Sequence, residues 1–129
     1  MTALPTTISG KVRKNLGRGT QIGYPTANVD YDGDLADGVY LAYTTTHVKE
    51  KLPSLAFIGA AETFNASDRK MEVYILDFRG DLYNTTISVE LLKHTRGNMK
   101  FNSVEELVQR IKKDEEEGCK YFKLPLKED

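Results

Sequence analysis

Apolar and polar positions divide the chain into short strand-like runs followed by one late helix. Residues 38–46 (GVYLAYTTT) are rich in aromatic and β-branched side chains. Residues 51–58 form a short apolar run with Pro53 near its start, and 70–78 (KMEVYILDF) are apolar on both faces. Residues 85–92 (TTISVELL) alternate in part, with Ile87, Val89 and Leu91 on one side. These compositions and spacings predict strands, and a further strand is expected over 8–13. Turn signals at Asp32-Gly33-Asp34, Asp37-Gly38, Asn65-Ala66-Ser67-Asp68 and Arg79-Gly80-Asp81 punctuate the runs.

The period changes after Ser103, where the chain reads SVEELVQRIKKDEEEG. Val104, Leu107, Val108 and Ile111 fall at i, i+3, i+4 and i+7, one face of a helix. Ser103 with Glu106 three residues later makes a capping-box pattern, and Gly118 supplies a stop signal. The spacing therefore predicts a helix over 104–117, with the acidic run 114–117 as its solvated end. Several short strands and one late helix, with no strand–helix–strand alternation, predict an all-β antiparallel sheet or barrel with a packed C-terminal helix. A doubly wound nucleotide fold does not fit this order.

Composition narrows the setting. At 129 residues with no repeat or linker, the economical organisation is one domain over 1–129. Lysine plus arginine is 18 and aspartate plus glutamate is 19, giving a net charge of −1. That balance argues against a bulk nucleic-acid binder, although a local basic patch remains compatible with it. Cys119 is the single cysteine, so no intramolecular disulfide can form, and it reads as an incidental free thiol in a polar stretch. No apolar run approaches the roughly 20 residues of a membrane helix, and no signal peptide is visible. The expected setting is the cytosol, with no membrane association.

The densest cluster of unusual residues is 15–28, NLGRGTQIGYPTAN. Its glycines allow positive φ and close backbone approach to a ligand. Successive exposed N–H groups can cup a phosphate, and Arg18 could add charge. The spacing of Gly17, Gly19 and Gly23 misses the dinucleotide fingerprint and lacks a P-loop ending, so an ordinary loop is the competing reading. Pro25 biases Tyr24 toward extended geometry. Thr26 and Asn28, two apart, then share one side of an extended segment. Hydroxyl and amide oxygens are hard ligands suited to Mg²⁺ that also binds phosphates; local turn hydrogen bonds are the alternative.

Glu72 interrupts an apolar strand. It faces solvent, pairs with a partner or lines a site, and in a partly dry pocket it would become a better general base. Between the last strand and the helix, Arg96 could bind an anion or stack on a ring. Phe101 could stack on a ligand ring or anchor the helix start. His47, His94 and Cys119 have no metal-like spacing, which argues against a zinc site of that kind.

Taken in order, these segments resemble the riboflavin kinase family over roughly residues 8–120. The resemblance runs through Gly17-Arg18-Gly19, Ile22-Gly23-Tyr24-Pro25-Thr26-Ala27-Asn28, Gly38-Val39-Tyr40, Ile58-Gly59 and Thr63-Phe64. It continues through Glu72, Asp81-Leu82-Tyr83, Arg96, Lys100-Phe101 and the final helix. It implies a six-stranded antiparallel Greek-key β-barrel with a C-terminal helix. It also implies an ATP:riboflavin 5′-phosphotransferase, giving FMN and ADP. By the same resemblance Glu72 is the catalytic base and Thr26 and Asn28 are the metal ligands. Gly17, Arg18, Gly19, Thr26, Ile75 and Tyr83 bind ATP, and Arg96 and Phe101 meet the flavin. The expected cofactor is Mg²⁺, with Zn²⁺ or Mn²⁺ also compatible. The partners are ATP/ADP and riboflavin/FMN, not nucleic acid, and the chain is expected to be a monomer.

The chain departs from the family wording at several positions. Met99 stands where many relatives have lysine, Asn15 and Asn84 where glycine is common, and Ala60-Ala61-Glu62-Thr63-Phe64 replaces a proline-threonine-phenylalanine form. The departures at Asn15 and Met99 motivate the alternative of a non-catalytic flavin-binding or sensing module. Many relatives carry the kinase behind an FAD-making adenylyltransferase domain, which nothing in this sequence resembles. Met1 and the short lead-in favour a stand-alone kinase over an excised C-terminal module.

Overall fold

The structure, a computed structural model, describes residues 3–13, 26–60, 69–76, 82–97, 99 and 101–124. Six strands are present: β1 (Thr6–Lys11), β2 (Ala27–Asp30), β3 (Gly38–Thr45), β4 (Leu52–Ala60), β5 (Arg69–Ile75) and β6 (Thr86–Arg96). One helix, α1 (Val104–Phe122), follows them. The sheet order is β1-β6-β3-β4-β5-β2, and every pairing is antiparallel. Strands β3, β4 and β5 form a meander, and β6 returns to lie beside β3, which is a Greek key.

The sheet curls until its two edge strands meet. An isolated bridge joins Arg13 to Asn28, with the Arg13 N–H donating to the Asn28 carbonyl at 2.7 Å. A side chain on Gly10 would place its Cβ 2.5 Å from Val29 Cγ1. The bare glycine therefore lets β1 lie against β2 at the seam. The result is a nearly closed barrel.

Alternation sorts the strand residues between two apolar layers. Tyr40, Ile58, Met71, Val73, Ile87, Val89 and Leu91 fill the barrel interior. On the outside, Val39, Leu41, Leu55 and Tyr74 pack against Ile111, with Leu107, Val108 and Phe122 of α1 alongside. This second layer explains why 70–78, the segment of β5, reads as apolar on both faces. One face lines the barrel and the other is covered by the helix.

Two features of the helix differ from the sequence expectation. It runs five residues further than 117, to Phe122, and Gly118 lies inside it and is buried. A Cβ at Gly118 would sit 3.2 Å from Leu55 Cδ2, so the glycine serves close helix–sheet approach rather than termination. The helix ends instead at Lys123, whose φ of 58° is left-handed. The Lys123 and Leu124 N–H groups donate back to the Lys120 and Cys119 carbonyls, a Schellman-type cap. The second difference is that 114–117 is not a uniformly solvated end. Asp114 is buried and Glu115 half-buried. The thiol of Cys119, in no disulfide, is likewise buried. The N-terminal cap is as expected: Ser103 Oγ accepts from the Glu106 N–H at 3.2 Å. Among the described residues, no helix is long and apolar enough to cross a membrane.

Candidate functional site

Strand register assembles the candidate side chains. Asn28 pairs directly with Glu72 across β2 and β5. Glu72 pairs with Phe57 on β4, Phe57 with Val39 on β3, and Val39 with Arg96 on β6. Directly opposed residues share one face of a sheet. Arg96, Val39, Phe57, Glu72 and Asn28 therefore form a single transverse row on the outside of the barrel. Four of the five strands in that row are far apart in sequence from at least one neighbour, so only the assembled sheet makes it.

At one end of the row the Asn28 and Glu72 side chains spring from Cβ atoms about 4.5–5.5 Å apart, the usual spacing of opposed residues. Asn28 is 4% exposed, and its Oδ1 has no hydrogen-bond partner among the described residues. A buried amide oxygen without a donor is costly, and an oxygen-seeking cation would satisfy it. Thr26, half-buried, lies one residue ahead of β2, so the expected hydroxyl–amide pair lies beside Glu72. Glu72 itself is exposed. The partly dry pocket considered for it is not formed by the protein alone. Among the described residues no group of three or more His, Cys, Asp or Glu could hold a metal, so Thr26 and Asn28 would leave most of a cation's sphere to phosphate and water.

The backbone around Arg13 ties a third feature to this end. The Val12 N–H donates to the Thr85 carbonyl at 2.8 Å, and the Asn84 N–H to the Val12 carbonyl at 3.0 Å. The turn carrying exposed Tyr83 is thus docked on Val12, next to the Arg13–Asn28 bridge. Asn84 has φ 69°, a left-handed conformation that favours glycine or asparagine, which explains that departure from the family wording. Arg13, through its bridge to Asn28, and Thr26, one residue ahead of β2, both lie beside the Asn28–Glu72 pair. Gly17, Arg18 and Gly19, the expected phosphate-cupping residues, lie outside the described residues. Ile75 points into the barrel core, so a nucleotide contact at that position would be made by its backbone.

The other end of the row is organised by charge. Two irregularities in the β3–β6 pairing, at Leu92 and Thr95, return Arg96 to the helix-covered side beside Val39. There its guanidinium meets Asp114 of α1, with Nη2 2.7 Å from Oδ2. The sequence reading missed Asp114. Its only signal was an acidic residue on the helix face four positions after Arg110, and the contact with Arg96 is long-range. Phe101 is half-buried two residues before the helix cap. Its position is compatible with either reading given to it.

Comparison with known proteins agrees with this architecture. The family model described as riboflavin kinase matches residues 2–122. The bifunctional riboflavin kinase/FMN adenylyltransferase of Escherichia coli (strain K12) is 35% identical over 122 residues, which covers 93% of this chain and 39% of that protein. An RNA-binding riboflavin kinase, RibR, of Bacillus subtilis (strain 168) is 34% identical over 121 residues, covering 92% of this chain and 52% of the relative. This chain thus spans about half or less of the length of these relatives. The crystal structure of riboflavin kinase from Trypanosoma brucei superposes with a TM-score of 0.61 at 25% identity, covering 92% of this chain and 80% of that one. With its Greek-key barrel, its covering helix and a family match over almost its entire length, the chain belongs to the riboflavin kinase family.

Proposed function

We propose that this chain is an ATP-dependent riboflavin kinase that transfers the γ-phosphoryl group of ATP to the 5′-hydroxyl of riboflavin, giving FMN and ADP. The observation that carries the reading is the register pair Asn28–Glu72. It sets an amide, whose oxygen suits a hard cation, and a carboxylate side by side on adjacent strands. Phosphoryl transfer asks for little covalent chemistry from a protein. It asks for positioning of the two substrates and for neutralisation of phosphate charge. Glu72, exposed on the outer face, orients the ribityl hydroxyl and accepts its proton as the new O–P bond forms and ADP leaves. Thr26 and Asn28 hold a divalent cation, Mg²⁺ in the first instance, which supplies charge neutralisation to the phosphates when bound. Gly17, Arg18 and Gly19 cover the nucleotide, with Tyr83 and the Ile75 backbone beside it.

Phe57, half-buried beside Glu72, offers riboflavin an apolar contact, and Phe101 and Arg96 meet its ring end. In this reading the partners are small molecules rather than nucleic acid, in keeping with the balanced charge. The test is incubation with riboflavin, ATP and Mg²⁺, Mn²⁺ or Zn²⁺ and chromatography for FMN. Formation of FMN is expected. Riboflavin binding without FMN under every metal would instead favour the non-catalytic flavin-binding module.

A further inference from the structure

Asp114 is almost fully buried, with its side chain 1% exposed, and faces two arginines, Arg96 and Arg110. Its carboxylate is spent on Arg96. Arg96 Nε donates to Oδ1 at 3.0 Å and to Oδ2 at 3.3 Å, and Nη2 donates to Oδ2 at 2.7 Å. The remaining guanidinium nitrogen, Nη1, donates to the Gly97 carbonyl at 3.0 Å. All three nitrogens of Arg96 are therefore engaged, and the plane of the fork is fixed. The Gly97 bond also ties down the first residue after β6, where the connection toward Phe101 begins. Arg110, one helical turn before Asp114, brings its Nε within 3.3 Å of Oδ1. That N–H has no aligned acceptor among the described residues. Arg110 thus adds positive charge near the carboxylate without a directed bond.

Docking of the helix does not need this cluster. The apolar layer from Val39 to Phe122 already seats α1 on the sheet, and the Tyr74 hydroxyl donates to Glu115 Oε2 at 3.0 Å as a second polar tie. Buried ion pairs add little net stability over apolar packing because both charges are desolvated. What the Asp114 carboxylate does provide is direction: it holds one guanidinium in one orientation at the end of the site row.

We infer that Asp114 is a positioning residue for riboflavin, acting through Arg96 and the Gly97 carbonyl rather than on the reacting atoms. The inference rests on Arg96 and Phe101 marking the flavin end of the site. Its signature is selective: flavin binding depends on Asp114 and nucleotide binding does not, because the nucleotide end is built by the Asn28–Glu72 register at the other end of the row.

The experiment measures riboflavin affinity by quenching of flavin fluorescence and nucleotide affinity with a non-hydrolysable ATP analogue. It uses the intact chain and the variants R96A, D114N and R110Q, with thermal midpoints recorded for each. D114N is expected to weaken riboflavin binding by about 10- to 100-fold, the scale of a misplaced binding group, and to leave analogue binding within about twofold. R110Q is expected to keep riboflavin binding within about threefold, since no hydrogen bond to Arg96 involves it. Equal losses for both ligands in D114N would make Asp114 a structural strut and overturn the inference. So would a lowered thermal midpoint with intact flavin affinity, or a loss in R110Q as large as in D114N. If D114N does not fold, D114E replaces it. D114E keeps the charge but shifts the carboxylate by one methylene, and the same selective loss is expected. Unchanged riboflavin affinity in R96A removes the flavin-end reading itself. Weakened R96A beside unaffected D114N removes only the role given to Asp114.

Discussion

The two ends of the outer row are held in place by different means. Asn28 and Glu72 are opposed because β2 and β5 are hydrogen-bonded in register, so their juxtaposition follows from the backbone. Arg96 is aimed by two irregularities in the β3–β6 ladder and then fixed by a buried carboxylate on another element. The first arrangement survives almost any change of side chain, because the ladder does not depend on it. The second depends on a few polar atoms in a dry setting, where losing one partner leaves the others uncompensated. One end of the row is thus set by the ladder, and the other by a polar contact between sheet and helix.

Substitution at Glu72 breaks the comparison most strongly. Glu72→Gln is expected to lower turnover by about 10²–10⁴-fold, the usual contribution of a general base. Its exposure means stability should shift by less than about 0.5 kcal/mol. FMN formation and urea unfolding, measured on the same preparation, separate the two effects. Near-normal turnover would take Glu72 out of the base's role.

Asn28→Ala comes next. Removing a ligand should raise the Mg²⁺ concentration needed for half-maximal rate by about 10- to 100-fold, the scale of losses at metal sites. Because its Oδ1 has no partner among the described residues, folding stability should hardly fall. A titration of rate against Mg²⁺ checks the first expectation. A large drop in stability with an unaltered metal requirement would make Asn28 a structural residue.

The smallest expected effect on catalysis lies at the Arg96 end. Gly38 has φ 137°, and an added Cβ would overlap the Arg96 carbonyl oxygen. Gly38→Ala should cost about 1–3 kcal/mol of stability from backbone strain alone. By displacing the end of β6 it should raise KM for riboflavin several-fold while KM for ATP stays unchanged. Parallel changes in both constants would show that the two ends of the row are not independent.

How much of this was legible in the sequence depended on whether the cause was local. The helix start was readable because Ser103 and Glu106 cap it within one turn, and its apolar face because residues 104–111 carry the period. Glu72 stood out because a charge inside an apolar strand is a local contradiction. Gly118 was misread because a glycine that admits a neighbouring sheet looks the same in sequence as one that ends a helix. Only the position of Leu55, more than 60 residues away, tells them apart. Asp114 was taken as solvated because its partner Arg96 belongs to another element. The four-residue β2 escaped pattern reading because ANVD is too short to show alternation. The resemblance to the kinase family supplied the site residues that spacing alone left open, while their alignment in one row required the barrel.

That row has a consequence for how activity and folding are linked. Each of its five members is contributed by a different strand, and a slip of one residue in any pairing would turn that member to the opposite face. No hairpin or half-barrel could carry a partial version of the site. The row exists only when all five of these strands are docked in register, and the detachment of any one of them dismantles it.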